Sequence, residues 1–240
     1  ARRIDLGALV ERVRRHLRAL VWLPYEEDYT VIALAVAASY AQEIFDAVPL
    51  LLCLGEKGSG KSELGYAVST LGSNGVFLAK ATAAAITDTG DRSRGLMSID
   101  DFEELGSRGR NGDVAFGNIQ QIIKLSYKKA TATYSKIGPR GEPIVQRFYG
   151  VKFISNTQGV DEIVGSRMFR ITTRRLIEPL RQELRARSVD LIPTEQLASM
   201  RDELHTFVFR NVRAIRERYL HYIAQKGDRR DAIAAPLRAL

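Results

Sequence analysis

Eight consecutive residues, Gly55-Glu56-Lys57-Gly58-Ser59-Gly60-Lys61-Ser62, meet the pattern G-x-x-x-x-G-K-S at every defined position. The residue types suit polyphosphate chemistry. Glycine has no Cβ, so backbone N–H groups can turn inward and approach phosphate oxygens closely. A lysine places a compact charge between the terminal phosphates, and a serine hydroxyl ligates Mg2+. A helix opening near Lys61 adds the positive end of its dipole. ATP and Mg2+ are therefore the expected ligands, with Lys61 the catalytic cation and Ser62 a metal ligand.

Carboxylates follow at a suitable distance. Leu96-Met97-Ser98-Ile99 is a short strand pattern that ends in Asp100-Asp101. Magnesium at such a loop needs an acid at the end of a neighbouring strand. Asp100 is the expected metal-side carboxylate, and Asp101 the expected general base for the attacking water. Glu103 and Glu104 are placed to substitute for it. Val151–Ser155 reads as another buried strand, and it ends on Asn156, whose amide suits the γ-phosphate or the water. Arg167, before the last strand pattern, is the expected arginine finger for a neighbouring subunit's nucleotide, with Arg170 as the alternative. Such a finger is worth about 10³–10⁵ in rate in GTPases. Each of these has a plainer reading as an ordinary strand end or surface cation, so their weight comes from order and spacing.

These groups need elements to hold them. Ile4, Leu6, Leu9, Val10, Val13, Leu17 and Leu20 make a helical stripe, which Pro24 ends. A second helix, apolar nearly all round, is expected at 28–45. The unbroken apolar run Leu50-Leu51-Leu52-Cys53-Leu54 has the character of a central parallel strand. Helices are expected at 62–71, 82–87 and 118–127, and strands at 76–79, 95–99, 151–155 and 168–172. Residues 130–136 and 143–149 read as a hairpin around Gly138-Pro139-Arg140-Gly141. Beyond Arg174 the pattern is helical only, from about 193 to 225. The Gly/Arg/Asn-rich stretch 106–112 is the expected mobile loop. Strand–helix alternation argues an α/β layer fold with a mostly parallel sheet.

The chain has 240 residues, a net charge of +8 and 45% hydrophobic residues. That suffices for one sizeable core, and the basic balance favours a polyanionic partner, nucleic acid first. The lone Cys53 excludes a disulfide framework or zinc cluster within one chain and fits a reducing cytoplasm, the expected location. No apolar stretch approaches a bilayer span, so no membrane role is expected. The first residue is Ala and no signal peptide opens the chain, so a chain cut from a longer protein or processed is expected.

Taken in order, the loop at 55–62, the pair Asp100-Asp101, the strand ending Ser155-Asn156 and the dipeptide Ser166-Arg167 resemble the AAA+ ATPases. Within them the pattern is similar to superfamily-three helicases and the helicase-like ATPases of phage, plasmid and mobile-element replication modules. The resemblance spans roughly residues 45–175, and the first motif is its specific part. It implies a hairpin ahead of the sensor strand that carries basic residues into a central pore. Here those are Lys136 and Arg140, which would grip single-stranded DNA, with Lys128, Lys129 and Arg147 nearer the base. Asp101 stands where many relatives have Glu. For a second sensor arginine the sequence offers only Arg201, Arg210 and Arg213.

The expected architecture is an α/β AAA+ core at 47–175, a helical collar at 1–46 and a helical lid at 176–240. The expected activity is Mg2+-dependent ATP hydrolysis between subunits of a homo-oligomeric, hexameric ring that translocates on or unwinds DNA. The rival is an ATP-switched assembly or recruitment protein for a mobile-element or defence effector. A kinase is a third reading, for which the sequence offers no acceptor pocket.

Overall fold

Leu50–Leu54 forms β1, whose first four residues are wholly buried. A strand apolar on both faces needs helices on both sides, and the flanking sequence supplies them. The computed structural model describes residues 4–100, 114–157, 159–160, 162–225 and 227–240. Asp101, Glu103, Glu104 and the stretch 106–112 lie outside the described residues. In chain order the elements are α1 (Leu6–Leu20), α2 (Glu26–Ser39), β1, α3 (Lys61–Leu71), β2 (Val76–Leu78), α4 (Ala83–Ser93) and β3 (Met97–Ile99). Then come α5 (Val114–Leu125), β4 (Thr133–Ile137), β5 (Pro143–Arg147), β6 (Lys152–Asn156), α6 (Glu162–Gly165) and β7 (Met168–Thr172). The chain closes with α7 (Leu180–Ala186), α8 (Thr194–Ala224) and α9 (Arg229–Ala239).

The fold is α/β. Its main sheet has five strands in the order β2-β3-β6-β1-β7, and every pairing within it is parallel. β4 and β5 form a separate antiparallel hairpin. Strand β6 is inserted between β1 and β3, which brings the C-terminal ends of all three strands together. In open α/β sheets that end is where ligands bind.

Several element bounds differ from the sequence reading for local reasons. The second helix stops at Ser39 and is followed by a 3-10 turn at Gln42–Ile44. Ser39 turns its hydroxyl back onto the Val36 carbonyl (2.6 Å) and accepts the Ser73 N–H (2.9 Å). The Gln42 amide donates to the Arg94 carbonyl (2.5 Å) and accepts the Val151 N–H (3.1 Å), tying the chain to the sheet instead of continuing the helix. Helix α4 runs longer than expected because the hairpin supports its second half, through Asp88 to Lys136 (2.9 Å) and Asp91 to the Arg147 N–H (3.0 Å). Helix α9 lies beyond the helices expected from the pattern; a capping box between Asp228 and Asp231 starts it.

The helices from the two ends of the chain pack on each other. Arg12 of α1 grips both carboxylate oxygens of Glu203 in α8, at 2.9 and 3.0 Å. Tyr219 of α8 packs with its ring tilted against Phe45 at a centroid distance of 4.9 Å, and its hydroxyl accepts the Asp46 (3.0 Å) and Ala47 (3.3 Å) N–H groups just before β1. Among the described residues no helix is long and apolar enough to cross a membrane.

Lys152 lies in the middle of the sheet with 1% of its surface exposed, and its ammonium donates to the carbonyls of Phe148 (2.7 Å) and Gly150 (3.2 Å). Burial pushes its pKa down to about 7. A depressed folded pKa means the unfolded chain binds the extra proton between about pH 7 and the ordinary value of 10.5. Stability from this group is therefore complete above that upper value and is lost as pH falls towards 7, each pKa unit amounting to about 1.4 kcal/mol. Lys152→Met is expected to flatten the rise in urea-unfolding free energy between about pH 7 and pH 10 relative to the parent protein. Equal slopes in the two proteins would show that the lysine is not titrating in this window.

Candidate nucleotide site and hairpin

The chain leaves β1 at Leu54, makes the loop 55–60, and enters α3 at Lys61. Gly60 sits at the helix N-cap with φ 90°, a conformation that disfavours any side chain, and a Cβ there would stand 3.1 Å from Val21. Gly55 is more tightly confined: a Cβ would approach the Thr173 hydroxyl to 2.2 Å and its carbonyl to 2.5 Å. Thr173, directly after β7, donates its N–H to the Leu54 carbonyl (2.7 Å) and shares a buried 2.7 Å hydrogen bond with the Ser59 hydroxyl. The loop is thus clamped from the β7 side. Lys61 is largely buried, and its ammonium donates to the loop's own carbonyls at Gly55 (2.8 Å) and Glu56 (2.9 Å). Ser62, Glu56 and Lys57 are exposed.

On the other flank the parallel register sets Leu54 of β1 beside Asn156, the last residue of β6. Asn156 is fully buried and donates its amide to the Gly159 carbonyl (3.0 Å). Asp100 follows β3; its N–H donates to the Leu78 carbonyl (2.8 Å) and its carboxylate accepts the Ser155 hydroxyl. The loop, Asp100 and Asn156 therefore meet at the C-terminal ends of adjacent strands. Asp101 lies outside the described residues.

The residues present fit a magnesium-bound polyphosphate. The loop leaves a cradle at Gly55 and Gly60 that side chains would fill, and its mouth offers an exposed hydroxyl at Ser62 and a carboxylate at Asp100. Among the described residues no three His, Cys, Asp or Glu side chains cluster as a metal cage. Mg2+ is usually held by one or two protein oxygens together with substrate phosphates and water, and Ser62 and Asp100 offer oxygens of that kind.

Arg167 sits at the opposite end of β7 from Thr173. At about 3.3 Å per residue the intervening strand puts it roughly 20 Å from its own loop, so it has no reach to a nucleotide there. It is largely buried, and its guanidinium lies over the Tyr127 ring at 5.9 Å. Arg170, in the middle of β7, is exposed. Arg201 donates to the Thr70 carbonyl (3.2 Å) at the far end of α3, and Arg213 is exposed further along α8. Arg201 thus lies a full helix length from Lys61.

The hairpin is present, with strands at Thr133–Ile137 and Pro143–Arg147. Its two expected tip cations differ. Arg140 is exposed in the turn, whereas Lys136 faces α4 and forms an ion pair with Asp88 at 2.9 Å. Hydrogen bonds from Lys136 and Gln146 hold the Asp88 carboxyl below its usual range. Lys136 thus lies on the inward face of the hairpin, because alternation along β4 turns its side chain towards α4. The outward face carries Ile137 (73% exposed), Val145 (56% exposed) and exposed Arg147. Lys129 is paired with Glu43 (3.1 Å) and lies over Tyr149.

Three contributors escape a reading of the sequence. Thr173 and Val21 hold the loop from segments far away in the chain, and nothing local marks them. Ser155 is legible only as the residue before Asn156.

Neither a family model nor a curated protein matches the sequence. Among solved structures, a full-length MCM homolog from Methanopyrus kandleri is similar in fold, with a TM-score of 0.51 and 13% identity, over 100% of this chain and 58% of that one. JCV helicase matches with a TM-score of 0.45 and 12% identity, over 89% of this chain and 65% of that one. The C-terminal region of NrS-1 matches with a TM-score of 0.42 and 12% identity, over 93% of this chain and 57% of that one. The chain thus shares its fold with the MCM homolog and spans little more than half of that protein's length.

Proposed function

We propose that this chain is a Mg2+-dependent ATPase of the helicase or translocase type, acting on DNA as a homo-oligomeric, hexameric ring. The observation that carries the reading is the convergence of the 55–62 loop, Asp100 and Asn156 at the ends of three adjacent parallel strands. The fold shared with the MCM homolog supports it.

In this reading the loop N–H groups cradle the phosphates, and Lys61 moves from the Gly55 and Glu56 carbonyls onto them. Ser62 and Asp100 would hold Mg2+, which would supply charge neutralisation at the phosphates. Asn156 orients the attacking water or the γ-phosphate, and Asp101 takes the water's proton. Arg167 leaves Tyr127 to serve the nucleotide of the adjacent subunit. Lys136 sets the hairpin against α4, while Arg140 and Arg147 meet the phosphate backbone of single-stranded DNA.

The packing of Arg167 on its own chain favours a second reading, an ATP-switched assembly protein with slow turnover. The hairpin separates the two. Taken as the ratio of ATPase rates with and without single-stranded DNA, stimulation in the double variant Arg140→Ala/Arg147→Ala is expected to fall to near unity. Lys136→Ala, which loosens the hairpin without removing an exposed cation, is expected to reduce it only in part. Undiminished stimulation in the double variant would rule out the hairpin as the DNA contact.

A further inference from the structure

We propose that Arg174 and Arg175 bind the phosphates of the nucleotide held in the same chain's loop, from the side opposite Asp100 and Asn156. The proposal rests on the nucleotide reading above and adds the cations that reading lacks.

Strand order defines two flanks for the loop. β6 and β3 lie on one side of β1 and bring Asn156 and Asp100; on the other side only β7, the sheet edge, is present. The segment that leaves β7 therefore forms the second flank. Its first residue, Thr173, has 2% of its surface exposed and is fixed to the loop by the bonds to Leu54 and Ser59 and by contact with Gly55. Arg174 and Arg175 come next, and both are exposed. Among the described residues neither guanidinium makes a hydrogen bond or ion pair. With consecutive Cα atoms about 3.8 Å apart and a side chain reaching roughly 6 Å further, a guanidinium leaving this point is long enough to reach the mouth of the loop.

Electrostatics favours the same assignment. A magnesium-bound triphosphate keeps negative charge that Lys61 alone does not cancel, and guanidinium forks match phosphate oxygens in pairs. Asp28 of α2, an acid on this flank, already accepts the Thr172 N–H at its carboxylate (3.4 Å). The C-terminal helices do not supply the cation through Arg201, which is bound to the C-terminal end of α3. Two adjacent arginines that follow the loop-bound Thr173 and, among the described residues, make no hydrogen bond or ion pair are left for the ligand.

The test is titration of the full chain with a fluorescent ATP analogue, with adenosine as the phosphate-free probe. Four proteins are compared: the parent, Lys61→Ala, Arg174→Ala/Arg175→Ala and a double lysine variant at the same positions. Arg181→Ala in α7 serves as a control. Both target side chains are exposed, so far-UV circular dichroism should show unchanged folding. The double alanine variant is expected to bind ATP at least about tenfold more weakly, with a shallower salt dependence, as for loss of a charge-assisted hydrogen bond. Adenosine binding should not change, and the lysine variant should recover part of the affinity. ATP binding within about twofold of the parent, while Lys61→Ala has lost it, overturns this proposal and leaves the nucleotide site standing. Failure of the parent protein to bind ATP overturns both.

Discussion

Lys61→Ala is expected to abolish ATP hydrolysis, by at least about 10²–10³-fold, as for removal of one preorganised group that stabilises transition-state charge. The side chain is largely buried, and its ammonium engages the loop alone, through the Gly55 and Glu56 carbonyls. Its removal therefore costs two local hydrogen bonds and leaves the core contacts of α3 in place. Alanine is also the strongest helix former for the first turn of α3. Phosphate release should be lost while the far-UV spectrum and melting cooperativity are kept. Hydrolysis at the parent rate would remove the 55–62 loop from the account.

Arg167→Ala is the second large effect. With roughly 20 Å of β7 between Arg167 and its own loop, the proposed finger role requires a neighbouring subunit's nucleotide. Turnover is expected to fall by about 10³–10⁵ with ATP binding spared. Mixing Arg167→Ala protein with Lys61→Ala protein should then restore part of the activity, since some interfaces pair an intact Lys61 with an intact Arg167. The cation–π contact with Tyr127 is the competing role. A variant that melts at lower temperature but turns over ATP normally would reduce Arg167 to a packing residue.

Much of this is legible in the sequence where the signal is local. The loop pattern needs only eight residues and their neighbours, and the run 50–54 reads as a central strand because it is buried on both faces. The stripe from Leu6 to Leu20 yields α1 because helix period and burial agree. Properties set by distant partners are not legible. The sequence cannot show that Ser39 and Gln42 bond to segments on either side of β2, β3 and the hairpin, so the second helix reads too long. Lys136 counts as a tip cation until register places it opposite Ile144 and beside Asp88. Thr173 looks like an ordinary strand end; its role exists only because β7 pairs with β1.

The measurement that bears most directly on the central claim is the steady-state ATPase rate of the parent protein in Mg2+, with and without single-stranded DNA at modest salt. The account predicts Mg2+-dependent hydrolysis that rises clearly with DNA, the rise fading as salt increases because it depends on phosphate contacts. A slow rate indifferent to DNA at every salt concentration would contradict a DNA-driven motor and leave the ATP-switched assembly reading in its place.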